Sequence, residues 1–495
     1  MFFPRFLCPL FCAFCAVSAA WAATPAATPA AAVPREKAAD PVLRLTLRKA
    51  IQLAIENNLA IKVGAFDPDI ADARITAELG TFDPSLNFSA SHSSVTSSGD
   101  EVQGGGASTW IGGTSIYGTE YNIGLTGTAS RYSRYTSGAQ FGLTQPLLRG
   151  FGSDVNLAAL RVARNNRQIS EWEFKQGIID VVTQTVFVYN ELYSALRNYD
   201  AARHSRDLAL ELCKEEEARA EIGVKIELDV ITAQAEAASR EEAVILAKNN
   251  IENNERFLKQ LVTSQTKTLL ETRVAIDPPP TAVIGPMDVQ AGLREALGNR
   301  PDYQEALVVL KNRHIGIVTA RNDTLPRLDL IGSLNLLGLD SHDIADSLRF
   351  FGGDTRNPQS WGIGALFSMP LGNRTAKGKL KAARLLDAQA LVVLKQLEQT
   401  LIVDVANAAG EVETSRQRID STQEALRLAK ESLSAGQKRH AAGSATTFEV
   451  LQLQRSMTEA QAALIRAEAD YRKALSEYDR QTGVTLQRNA INVTP

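Results

Sequence analysis

The chain has 495 residues, with 53 Lys and Arg against 56 Asp and Glu, a formal charge of -3. That near balance excludes an electrostatic nucleic-acid binder, which carries a basic excess. A hydrophobic content of 44% with 22% charged residues excludes both a disordered chain and a bundle of membrane helices.

Residues 1–22 read as a secretory signal. Arg5 is the only charge, Phe6 to Ala20 is apolar, and Ala20-Trp21-Ala22 offers a small-x-small cleavage site. Cys8, Cys12 and Cys15 leave with it, and Cys15 lacks the Leu-small-small context of an acylated cysteine. The mature chain keeps only Cys213, so it forms no intrachain disulfide. Residues 23–44 read as an Ala/Pro-rich linker.

A first structural unit is expected over residues 45–264. It opens with an amphipathic helical stretch capped at Thr46 and interrupted by Pro68. Strands follow over about 81–146, where Leu86, Phe88 and Ala90, then Tyr121, Ile123 and Leu125, then Ala139, Phe141 and Leu143 alternate with small or polar residues. Residues 107–129 either extend these strands or form an external loop. No lysine occurs between Lys62 and Lys175, and no proline from Leu147 to Asp277. A helical hairpin therefore fits residues 154–264, its first helix about 66 residues and roughly 100 Å long. The Glu215-Glu-Glu217 run within it reads as a solvated helix face.

After a joint at 265–286 containing Pro278-Pro279-Pro280, a second unit covers 287–484. It repeats the order: a stretch capped at Asp288 and broken by Pro301, strands over about 325–370, and a Pro-free hairpin over about 375–482, with 485–495 as a tail. In its returning helix, Val450 to Tyr478 keeps a 3,4-spaced apolar seam, which is coiled-coil periodicity. The equivalent seam from Val230 to Leu258 is interrupted by Arg240 and Asn254. Ordered matches make this a tandem duplication: Ala50-Ile51 with Gly292-Leu293, Pro84 with Pro326, Gln145-Pro146-Leu147 with Met369-Pro370-Leu371, and Gly223-x5-Asp229-Val230 with Gly443-x5-Glu449-Val450.

A helix of about 100 Å exceeds the diameter of a globular domain of this size, so the helices need a tube that oligomerisation closes. The strands suit a transmembrane β-barrel, with Trp110, Tyr121, Tyr132, Tyr135, Phe350 and Trp361 as candidate aromatic girdles. Two principal strands per unit give four per chain, too few to close a barrel, and three chains give twelve. The competing reading is a secreted, soluble periplasmic coiled-coil scaffold with a β-cap.

The chain resembles the TolC-like outer-membrane efflux family over its whole mature length. The resemblance rests on Leu45-Thr-Leu-x-x-Ala50-x-x-x-Ala54, Asn299-Arg300-Pro301-Asp302, Leu325-Pro326, Gln145-Pro146-Leu147 and the paired tips Arg219 to Val230 and Arg439 to Val450. It implies a mainly α fold with a transmembrane β-barrel: a homotrimer whose twelve-stranded outer-membrane barrel continues as a helical periplasmic tunnel. It implies contact with outer-membrane lipid, docking of a periplasmic adaptor (membrane fusion) protein, and an inner-membrane transporter of the resistance-nodulation-division or ABC type, serving efflux or type I secretion. Carried onto this sequence, the adaptor-facing tip residues are Arg219, Gly223 and Val224 in one hairpin and Arg439, Gly443 and Ser444 in the other. Asp229 and Glu449 fall at the periplasmic constriction. From the residues alone, the glycines are also turn positions, Ser444 or Thr447 a helix cap, and Glu449 a first-turn acid. Ala445, His440 and Gln452 depart from the family's gate pattern.

No catalytic residue, cofactor or metal is expected. Gly-x-Ser-x-Gly, a phosphate loop and His-Glu-x-x-His are absent from the sequence, and Arg149-Gly-Phe-Gly152 lacks the third glycine of a dinucleotide fingerprint. His342-Asp343 reads as a solvated pair in an external loop.

Overall fold

The computed structural model describes residues 42–97, 100–130, 134–221, 227–265, 267, 272–280, 287–340 and 359–491. The signal, most of the linker, Tyr132, Phe350 and His342-Asp343 lie outside them.

Strand β1 (Val42–Leu45) occupies the end of the stretch expected to be linker. It pairs in parallel with β6 (Arg273–Ile276) because Leu45 and Val274 are buried there. Three helices follow: α1 (Leu47–Asn57), α2 (Leu59–Gly64) and α3 (Phe66–Leu79). Thr46 caps α1, its hydroxyl accepting from the Lys49 amide at 3.2 Å. The break attributed to Pro68 falls earlier, at Asn58 and Ala65. Asn58 caps α2, and Pro68 sits within the first turn of α3, whose amides need no helical partner.

The helix α4 (Ser153–Asn156) leads into α5 (Ala158–Glu221), 64 residues long, which pairs with α6 (Glu227–Val262). In the second half, α7 (Val289–Asn299) and α8 (Pro301–Asn322) precede α9 (Arg374–Ala441), of 68 residues, and α10 (Thr447–Thr482). A short α11 (Thr485–Arg488) follows. Pro301 is the first residue of α8, where its fixed φ and missing N–H suit a helix start. Arg300 before it ties the joint together, pairing with Asp302 at 2.6 Å and reaching Asp404 of α9 and Gln481 of α10.

The seam of α10 is buried at Val450, Met457, Ala467, Tyr471 and Tyr478. In α6 the interrupting Arg240 is neutralised by Glu236 at 2.6 Å, and Glu236 also meets Arg455 of α10 at 2.8 Å. Alanines 50, 54, 233, 296 and 467 are fully buried where backbones approach closely. One core centres on Tyr189, packed with Leu45, Leu192 and Leu258; a second joins Val405 of α9 to Tyr471 and Tyr478 of α10.

The remaining strands are β2 (Ser85–Ser97), β3 (Asp100–Thr114), β4 (Glu120–Ser130), β5 (Arg134–Pro146), β7 (Arg327–Asp340) and β8 (Gln359–Ser368). They form one antiparallel sheet in the order β2-β3-β4-β5-β7-β8. Among the described residues this sheet has six strands where four per chain are expected, which removes the basis for a twelve-stranded total. The segment around 107–129 is neither a strand extension nor a loop but the hairpin β3–β4. Its alternation is hidden in the sequence because Gly105, Gly106, Gly112, Gly113 and Gly124 fill positions against the side chains of His92, Thr128, Trp110 and Tyr121.

One row across the sheet reads Leu86, Ile111, Ile123, Phe141, Leu334 and Trp361, each paired with the next and 38% to 76% exposed. The alternate row reads Asn87, Trp110, Gly124, Gln140, Asn335 and Ser360. One face is thus apolar and bare while the other is small or polar, the pattern of a lipid-facing barrel wall. Tyr121 and Tyr135 stand on the apolar face at opposite ends, eight positions apart by register. That is about 27 Å along the strand, or about 21 Å of height at a tilt of about 40°, near the roughly 25 Å apolar band between girdles. Trp361 instead lies two positions inside the level of Tyr121, and Trp110 stands on the other face. There, Cβ atoms at Gly112 and Gly124 would come within 3.2 and 3.1 Å of its side chain, so glycine makes room for the indole.

Candidate functional site

The two hairpins end at neighbouring tips, where the sequence places its candidate docking and constriction residues. Gly223 and Val224 lie outside the described residues. The second tip is fully described. There α9 ends in a Schellman motif: the Gly443 amide donates to His440 O at 2.9 Å and the Ser444 amide to Arg439 O at 2.8 Å. Gly443 takes φ +73°, a left-handed conformation that Cβ disfavours, and open space surrounds its Cα. Ser444 adds its hydroxyl to Arg439 O at 3.1 Å, and the Arg439 guanidinium donates back to Ser444 O at 3.0 Å. Both side chains are exposed, so this turn is closed by its own bonds and presents its surface outward.

The cap of α10 is Thr446, not Ser444 or Thr447. Thr446 Oγ1 accepts from the Glu449 amide and Glu449 Oε2 accepts from the Thr446 amide, each at 3.2 Å, a capping box. Thr447 is buried one residue inside the helix. Glu449 is therefore held at the helix N-terminus while its side chain stays exposed. Asp229 takes the equivalent first-turn place in α6 and is half-buried.

Between the hairpins lies a buried charged cluster that sequence reasoning missed. Glu215 is exposed as expected, but Glu216 is wholly buried, correcting the reading of a solvated run. His440 of α9, 5% exposed, places Nε2 3.1 Å from Glu216 Oε1. Arg219 of α5 lies 3.6 Å from the same oxygen and 3.4 Å from His440 Nδ1. With Arg219 as the donor, His440 Nδ1 accepts. Three residues thus tie α5 to α9 just above the tips, over a core of Leu212, Leu433, Val450 and Met457. The missed signal is spacing: Leu208, Leu212, Glu216 and Arg219 follow the 4,4,3 stripe of one helix face. One turn away, burial and then the Glu217 carboxylate push the Cys213 thiol pKa upward, which leaves it a packed, unreactive group.

Among the described residues no helix is long and apolar enough to cross a membrane, and no group of three or more His, Cys, Asp or Glu could hold a metal. A family model for outer membrane efflux proteins matches residues 50–264 and 292–483. The chain is 22% identical over 352 residues to the outer membrane efflux protein BepC of Brucella suis, covering 71% of this chain and 73% of BepC. It is 23% identical over 468 residues to the probable efflux pump outer membrane protein TtgC of Pseudomonas putida, covering 90% and 86%. Of solved structures, the CmeC outer membrane channel of Campylobacter jejuni aligns with a TM-score of 0.68 at 19% identity, over 89% of this chain and 86% of CmeC. The outer membrane protein VceC of Vibrio cholerae aligns at 0.66 and 18%, over 88% and 96%. The chain belongs to the outer membrane efflux protein family, a family of channels, and is an outer-membrane protein with the TolC-like fold that reaches into the periplasm.

Proposed function

We propose that three copies of this chain form a passive exit duct. It carries substrates from a periplasmic adaptor and an inner-membrane transporter, of the resistance-nodulation-division or ABC type, across the outer membrane. The observation that carries this reading is continuity within one chain: β5 and β8, strands of a sheet crossed by an exposed apolar row, lead through short turns into helices of 64 and 68 residues. Such a sheet needs lipid on one side, and such helices need neighbours to complete a tube. The names of the relatives, efflux and efflux pump proteins, support export as the task.

In this reading the exposed Arg439, Gly443 and Ser444, with Arg219, Gly223 and Val224 of the first hairpin, meet the adaptor. Glu449 and Asp229, repeated threefold, ring the narrow periplasmic end, where clustered carboxylates concentrate negative potential and favour cations. The duct performs no chemistry; the inner-membrane partner supplies energy and selects cargo, which includes secreted proteins if that partner is a type I secretion transporter. The test is site-specific photo-cross-linking from Ser444 in living cells, with mass spectrometry of the adduct. Capture of a periplasmic adaptor is expected, and a Ser444 probe that labels only outer-membrane or soluble proteins contradicts docking there.

A further inference from the structure

We propose that β3 and β4 are full wall strands, so that the trimer closes as an eighteen-stranded barrel rather than a twelve-stranded one. This rests on the trimeric duct reading. Ile111 and Ile123 continue the exposed apolar row from Phe141 out to Leu86 without a break. Hairpin strands outside the membrane would have no reason to keep that row in register. Charge points the same way. Across the sheet, Asp, Glu, Lys and Arg occur only at or near strand ends, at Asp100, Glu101, Glu120, Arg134, Arg327, Asp329 and Asp340; residues 102–114 and 121–130 carry none.

The sheet edges also fit a second copy of this chain. Edge strands β2 and β8 each pair on one side only. Neither contains Pro, Lys or another charge, the devices that protect an edge meant to stay unpaired. With six antiparallel strands, β8 and β2 run in opposite directions, so β8 of one copy pairs antiparallel with β2 of the next. Strands spaced about 4.8 Å apart and tilted about 40° each take roughly 6 Å of circumference. Eighteen give about 110 Å and a backbone diameter of about 35 Å, whereas twelve give about 75 Å and 24 Å. Counting α5, α6, α9 and α10 from each of three copies, twelve tunnel helices spaced 8–10 Å apart have a girth of about 100–120 Å. The wider barrel therefore continues the tunnel without a taper, and its exit is about 1.5 times as wide as a twelve-stranded one.

The test labels Ile111→Cys and Ile123→Cys with a polarity-sensitive fluorophore in a Cys213→Ser background, in full-length trimers reconstituted with brominated phospholipid. Quenching at both sites within twofold of a Trp361→Cys label is expected. Quenching no greater than that of a Gln437→Cys label near the helix tip overturns the proposal. Because a label can disturb the sheet, the strand count of the unmodified protein is read independently by electron cryo-microscopy. Eighteen strands support the inference, and a twelve-stranded trimer with an external hairpin overturns it while leaving the duct intact. A chain that forms no membrane trimer contradicts the duct itself.

Discussion

Replacing His440 with leucine removes the imidazole that faces the buried Glu216 while nearly keeping its volume. Glu216 is fully buried, and Arg219 lies 3.6 Å away with 29% of its side chain exposed. Leaving a buried carboxylate without one of its polar neighbours costs about 3 kcal/mol, the upper part of the range for a buried acceptor because the group is charged. Arg219 stays near the carboxylate and keeps the cost from rising further. Since about 1.4 kcal/mol is a factor of ten, the tips should open locally about 100-fold more often. Hydrogen exchange followed by mass spectrometry reads this directly: peptides covering 433–441 and 210–219 should exchange about 100-fold faster, with those around Tyr189 unchanged. The double replacement Glu216→Leu with His440→Leu should return most of the protection, because an apolar pair of similar size avoids the stranded charge. A single variant with exchange within threefold of the parent, or a double variant worse than the single, refutes the lock.

Four further outcomes follow from the geometry. Tyr189→Phe removes a hydroxyl whose one proton is shared between Leu45 O at 3.0 Å and Asp277 O at 2.7 Å; Leu45 O keeps the Asp277 amide at 3.1 Å, so the loss falls on Asp277 O and costs about 1–3 kcal/mol, seen as faster proteolysis near β1. Burial first, then Asp277, push this phenol to about 12, so the effect should be constant from pH 5 to 9. Burial raises Asp479 from 3.8 to about 6 despite Arg488 at 2.7 Å, so its proton is held more tightly when folded. Stability should therefore be greatest below about pH 4 for this group and fall by about 3 kcal/mol as pH rises through 6. Asp479→Asn should flatten that part of the denaturation midpoint profile. Gly443→Ala should cost about 1–2 kcal/mol from backbone strain alone, with Gly443→Asn milder, and trimers should persist on native gels while efflux falls. Glu449→Gln keeps the capping box, so assembly should be unchanged while cation preference in single-channel recordings drops; an unchanged preference contradicts the acidic ring.

Much of this architecture is legible in the sequence because helix chemistry is local. Proline exclusion announces α5 and α9, Thr46 and Asp288 announce the caps of α1 and α7, and Pro301 marks the start of α8. The strand count is not legible, because β3 and β4 are built around glycines, which carry no hydropathy signal and gain meaning only from neighbours such as Trp110. Glu216 was obscured by the charges beside it: a run of three glutamates looks solvated until the partner helix shows which face is covered. Arg240 misled in the same way, breaking the α6 seam in sequence while Glu236, four residues earlier, neutralises it in space. The tip turn was half legible. Its glycine is visible, and so is the helix start at Thr447, but the cap is Thr446, bonded reciprocally with Glu449, rather than Ser444 or Thr447.

The central claim is that three copies of this chain make one membrane duct. Native mass spectrometry of the protein extracted from outer membranes, followed by reconstitution into a planar bilayer, tests it most directly. The account predicts a particle of three chains that conducts ions across the bilayer. A monomer recovered in soluble periplasmic extracts, conducting nothing, contradicts it.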